Sequence, residues 1–224
     1  MQNLLTNGED APPPYEPRDP NGGKPLANGT ERVTSPADLH HNLESAIKAA
    51  RPYNSSSVFQ TPEANNIKET PSYCDKKPGH DLVNVAEREG IKLFLSRSHP
   101  APSAFITQNI EAINAFAAIL TSVARIFDLP LSTMHIFHDD AGSSIAFNGN
   151  GSIFCNLRYF MQLHLAQMDT PEGKVEAMAY WWITMCHELA HNLVGEHGAR
   201  HSFYAESFAQ GFFGKVVGKA LQYS

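Results

Sequence analysis

The segment His187-Glu188-Leu189-Ala190-His191 places two imidazoles four residues apart with a carboxylate beside the first. On an α-helix, residues i and i+4 share one face at adjacent turns, so both rings can grip a single cation. Glu188 lies about 100 degrees further round the axis, where a carboxylate can reach a water on that cation without being a ligand. A third donor is needed. His197 follows His191 by six residues, with Gly195 between them as a residue able to end the helix in a left-handed conformation and fold the chain back over the metal. Glu206, fifteen residues after His191, would complete a His2Glu set, and His201 is the remaining alternative. Such a donor set suits Zn2+, which lowers the pKa of a bound water towards ~7, with Glu188 as the base that takes its proton. Tyr204, Tyr180 and Arg200 are the candidates for stabilising an oxyanion.

These residues need elements to hold them. A helix over 175–194 carries the motif, with Met178, Trp182, Met185, Leu189 and Leu193 on one face and Tyr180, Thr184, His187 and His191 on the other. It can pack and still present its histidines to a cleft. Asp169-Thr170-Pro171-Glu172 carries cap and first-turn signals, delayed by Gly173. Ile106, Ile110, Ile113, Ala117, Leu120, Ala124 and Phe127 recur at helical spacing and give a helix over 103–127, stopped by Leu129-Pro130. Strands follow over 134–138, 143–147 and 152–156, joined by turns at Asp139–Gly142 and Asn148–Gly151 as a hairpin or meander, and a short helix spans 157–168. An edge strand from 143–147 or 152–156 could pair with an extended substrate. His135 and His138 differ by an odd number on a strand and face opposite sides, so joint ligation is not expected. Asp139 and Asp140 fit a turn, and Cys186 fits a buried small hydrophobe.

The stretch 35–50 begins with Ser35-Pro36 as a helix start, 51–80 is irregular, and 81–95 is ambiguous between helix and strand. The first 34 residues are rich in Pro, Gly and Asn and too poor in apolar groups to offset the entropy of ordering them. Within them Pro12-Pro13-Pro14-Tyr15 matches a polyproline stretch that WW domains dock. The expected organisation is a disordered tail over 1–34, a helix and irregular connection over 35–96, and a metal-binding domain over 97–224. The fold class is α+β, a small antiparallel sheet packed on the motif helix with further helices.

Across 224 residues, 42% hydrophobic content supports a real core. Seventeen Lys and Arg against 23 Asp and Glu leave a formal charge of -6, which offers no electrostatic footprint for nucleic acid or an anionic membrane. Three cysteines without Cys-x-x-Cys spacing signal neither a disulfide framework nor a thiolate zinc knuckle. The start lacks a secretory signal pattern, and the most apolar run, 177–186, is too short to span a bilayer. An intracellular protein, cytoplasmic or nuclear, is expected. The sequons at Asn28, Asn54 and Asn150 then count as coincidence.

The run from His187 to His197, His-Glu-Leu-Ala-His-Asn-Leu-Val-Gly-Glu-His, resembles the motif of WLM-type and SprT-like metalloproteases, small zincins whose third ligand is a histidine soon after the active-site helix. Over about 97–214 the chain is similar to the C-terminal part of large fungal sacsin-like proteins that begin with an Hsp90-type ATPase domain. The phrases that carry this are Ser98–Ser103, His135–Ser143, Asn156–Phe160 and His187–Phe208. The resemblance implies a minimal zincin fold, Zn2+ and a polypeptide substrate. It also admits a rival, a non-catalytic module that is stabilised by zinc or binds polypeptide for a chaperone-like partner. Metzincins carry their glycine one position earlier and need a downstream methionine, which is missing after His197.

Overall fold

The computed structural model describes residues 81–140, 142 and 144–223, together with the isolated Ile47. The Pro12–Tyr15 motif, the helix start at Ser35-Pro36 and the connection over 51–80 lie outside the described residues. The order of elements is β1 (Leu82–Arg88), β2 (Ile91–Ser96), α1 (Pro102–Gln108), α2 (Ile110–Ile126), β3 (Met134–Phe137), β4 (Ala146–Gly149), β5 (Ser152–Asn156), α3 (Leu157–Leu163), α4 (Pro171–Ala190) and α5 (Ala199–Ala220). The fold is α+β.

The sheet differs from the small antiparallel one expected. It has five strands in the order β1-β2-β3-β5-β4, with β2–β3 and β3–β5 parallel and the two outer pairs antiparallel. Two connections explain this. The pair α1–α2 carries the chain across from β2 to a parallel β3, as such a pairing requires. From β3 the chain passes out to the edge strand β4 and returns through a tight hairpin, so β5 rather than β4 takes the place beside β3. Asn150 and Gly151 make that hairpin turn with φ of 55 and 87 degrees, and Glu89 and Gly90 make the β1–β2 turn with φ of 52 and 83 degrees. Asn148 and Gly149, read from sequence as turn residues, belong to β4. The stretch 81–95 resolves as this first hairpin, with Ile91, Leu93 and Leu95 alternating into the core. β1 and β2, which precede residue 97, belong to the same sheet as the later strands.

Helices cover one face of the sheet, built from Leu93, Met134, Ile136, Ala146, Ile153 and Cys155. The other face is aromatic: His135 packs against Phe94 and Phe154, and Phe154 stacks on Phe147 with ring centroids 4.6 Å apart. On the helical side Phe116 of α2 stacks on Phe160 of α3 and meets Trp181 of α4, each at 4.6 Å. Burying three such rings stabilises the packing by several kcal/mol, since truncating one typically costs about 3–5 kcal/mol. The single helix expected over 103–127 is two, broken at Asn109. The Asn109 side chain donates to the Phe105 carbonyl at 2.8 Å, a local bond that competes with helix continuation. Asp128, with φ of 55 degrees, ends α2 as Leu129 N–H donates back to the Ala124 carbonyl.

The motif helix α4 starts at Pro171, capped by the Thr170 hydroxyl, which accepts from Gly173 N–H at 3.0 Å. Gly173 does not delay it. A Cβ there would lie 2.0 Å from the Gln167 carbonyl oxygen, so glycine is what lets the first turn sit against the preceding one. α4 packs between the sheet, α2 and α5, and its buried residues spread wider than one stripe. Trp181 and Trp182 are both buried, while Pro171, Glu172 and Glu176 near the start of the helix and Ile183 further along are exposed.

Candidate metal centre

α4 ends at Ala190, with His191 as its C-cap, and the Ala190 carbonyl accepts from both Leu193 and Val194 N–H groups. This tight turn reverses the chain. Gly195 is not left-handed, since the left-handed φ values among the described residues fall at 89, 90, 128, 150 and 151. The helix stops and the chain reverses before the expected end at 194, because the turn uses ordinary right-handed residues such as the C-cap His191. Leu193, expected on the packed face of the helix, lies beyond it and is exposed. An exposed loop over 195–198 leads into α5, whose first turn carries His201.

Four imidazoles meet there. His187, His191, His197 and His201 each offer one ring nitrogen, and these atoms all lie within 4.8 Å of one another. His187 Nε2 and His197 Nε2 are 3.0 Å apart. Neighbouring nitrogens around a tetrahedral ion with bonds of ~2.0–2.1 Å stand about 3.3 Å apart, so the His187–His197 pair is already near that spacing and the widest pair must close to reach it. These residues can hold a metal ion. Neutral imidazoles without a carboxylate favour Zn2+, Cu2+, Ni2+ or Co2+ over Mg2+ and Ca2+. His191 Nδ1 is 3.2 Å from the Val194 carbonyl, which can only accept. Nδ1 therefore carries the proton in that bond and Nε2 keeps its lone pair for a metal.

Both histidines offered as alternatives from the sequence are in the cluster. The ring of His201 lies 4.4 Å from that of His187 and 4.2 Å from that of His191, closer than the ring of His197 at 5.0 and 4.8 Å. His201 is 3% exposed, whereas His197 is open to solvent. The signal available was a histidine in the first turn of the next helix, four residues after His197, but sequence alone does not say where that turn packs. Glu206 is exposed and outside the cluster.

Glu188 is 1% exposed. Burial first and the Glu188 charge second push the Cys155 thiol well up. His187 and His191 meet the start of α5 through the ring of His201, at 4.4 and 4.2 Å. The Glu188 carbonyl accepts from Asn148 Nδ2 at 2.8 Å, and the same amide donates to Asn192 Oδ1 at 2.9 Å. This clamp fastens the edge strand β4 to the last turn of the motif helix. Sequence reasoning missed it, because Asn148 reads as a turn former and the bond spans 40 residues.

The oxyanion candidates scatter. Tyr180 lies inside against the His164 and Trp181 rings, at 5.0 and 5.3 Å, and burial pushes its hydroxyl pKa far up. It is a packing residue. Arg200 is exposed in the first turn of α5, and Tyr204 is half-buried one turn after His201. His135 and His138 pack on Phe94 and Phe105 respectively, apart from the cluster. Asp139 accepts from Gly142 N–H at 2.9 Å, closing a turn. Cys186 is buried, and its thiol is pushed up to about 12 by that burial.

No family model, curated protein or solved structure matches the chain. Among the described residues no helix is long and apolar enough to cross a membrane.

Proposed function

We propose that this chain is a zinc-dependent metallopeptidase of the minimal zincin kind, the class that its His187–His197 motif resembles. One observation carries the reading: two histidines one turn apart on a helix meet a histidine from the loop that follows, within 4.8 Å, with a buried carboxylate at the adjoining helix position. His187, His191 and His197 hold the ion. When bound, the ion supplies Lewis-acid activation of a water and of a peptide carbonyl. Glu188 accepts the proton that the attacking water gives up and returns it to the leaving amine. The Asn148 clamp aligns β4, which ends the sheet order, with the motif helix, so an extended polypeptide added at that edge would run beside the histidines.

The test is Glu188→Gln. The variant should keep its zinc and lose hydrolysis of an unfolded polypeptide such as casein by about 10²–10⁴-fold. Hydrolysis at the parental rate would refute the mechanism. A second reading, a non-catalytic module in which the ion closes the fold or steadies a polypeptide-binding surface, is favoured by the buried fourth imidazole of His201. It predicts zinc bound and no hydrolysis in the parent.

A further inference from the structure

The fourth histidine has its own logic. A tetrahedral ion held by three imidazoles has one position left, and that position is where a hydrolytic site admits water and substrate. His201 sits closer to the rings of His187 and His191 than His197 does, and it is buried while His197 is exposed. Any ion placed between His187 and His191 therefore has the His201 nitrogen in reach.

The elements that carry the four ligands are unequally fixed. His187 and His191 stand on α4, which is packed on three sides and clamped at its last turn by Asn148. His201 stands on the first turn of α5. That helix has no side-chain cap at its start, and among its 22 residues only His201 and Val216 are fully buried. The loop before it is exposed, and a Cβ added at Gly195 or Gly198 would meet nothing within 4 Å. Of the first-turn residues 199–202, His201 alone is buried.

We propose that His201 is the fourth ligand of the resting centre, so that the ion tethers the first turn of α5 to α4, and the position a peptide needs opens only when this turn lets go. The proposal rests on the metal reading given above and adds the regulation of that site. Release of His201 exchanges one neutral donor for another, and no bond within the chain is made or broken.

The experiment uses the full chain loaded with Co2+ and, in parallel, with Zn2+. In the parent, azide should leave the visible Co2+ bands unmoved, because no position is open, and Zn2+ should slow hydrogen exchange over 199–206. In His201→Ala and His201→Gln the bands should shift on adding azide, the protection of 199–206 by Zn2+ should vanish, and Zn2+ affinity should fall at least about tenfold. A parent whose bands shift with azide as much as the variants', with no Zn2+ protection over 199–206, overturns the proposal and leaves the metal reading standing. A parent that binds neither ion any better than His191→Ala does overturns the metal reading, and this proposal with it. The two measurements on the parent decide the matter even where a variant fails to fold.

Discussion

Replacing Gly173 by alanine tests whether the motif helix is seated as described. Alanine in place of glycine inside a helix ordinarily stabilises by about 1 kcal/mol, through lower backbone entropy in the unfolded chain. At position 173 the new methyl would stand 2.0 Å from the Gln167 carbonyl oxygen, 2.6 Å from its Cβ and 2.7 Å from its carbonyl carbon. Two of the three are backbone atoms, so no rotamer change clears the clash. Ordinary contact begins at 3.4 Å, and the first turn of α4 must back away by more than an ångström to reach it. Overpacking of this kind costs about 1–3 kcal/mol. The same retreat breaks the Thr170 cap on Gly173 N–H, a further ~1 kcal/mol. The net expectation is a loss of roughly 1–3 kcal/mol. Gly211→Ala in α5 is the control, because nothing lies within 4 Å of a Cβ there and the propensity gain of about 0.5–1 kcal/mol should appear alone. Urea unfolding of both variants beside the parent gives the comparison, read as a shift of midpoint at unchanged slope. If Gly173→Ala unfolds at or above the parental midpoint, the seating of α4 against Gln167 is wrong.

Asn148→Ala removes bonds to the Glu188 carbonyl and to Asn192, and should cost about 1–3 kcal/mol while speeding amide exchange over 146–149; unchanged exchange there would show that the clamp does not hold β4. Burial lowers the His164 pKa from 6.5 to about 4, so the unfolded chain binds a proton there that the folded chain refuses. Its effect is absent above pH 6.5 and grows as the pH falls towards 4, making the fold about 2 kcal/mol less stable at pH 5 than at pH 7 through this group. His164→Phe should remove that part of the loss, and chemical denaturation of both proteins at the two pH values measures it; an identical slope in parent and variant would refute the assignment.

Much of this architecture is written in local pattern. The spacing of Ile113, Ala117, Leu120 and Ala124 gives the buried helix, and the pair of Asn and Gly at 150–151 gives a hairpin, because both depend on residues near in the chain. What local pattern could not give is the order of strands. A meander and a β4-outside arrangement use the same three segments and the same turns, and the choice between them is made by which strand completes the face under α2 and α4. The break at Asn109 was hidden for a different reason, since the apolar spacing continues through it and only a side chain bond interrupts the backbone. At the site, the convergence of His187 and His191 follows from helix geometry alone. The inclusion of His201 depends on how α5 returns against α4, a contact between elements. The burial of Glu188 likewise follows from how α4 packs against its neighbours.

The two tryptophans of the chain, Trp181 and Trp182, are neighbours on α4, both shielded from water. Indole emission from the entire polypeptide therefore originates on the helix that bears the paired imidazoles. The molecule carries a built-in optical gauge of that one element: loosening of α4 would redden its fluorescence, and a paramagnetic or coloured cation lodged at the end of the same helix would dim it. Occupancy and integrity of the centre can be followed in unlabelled protein, with no dye added.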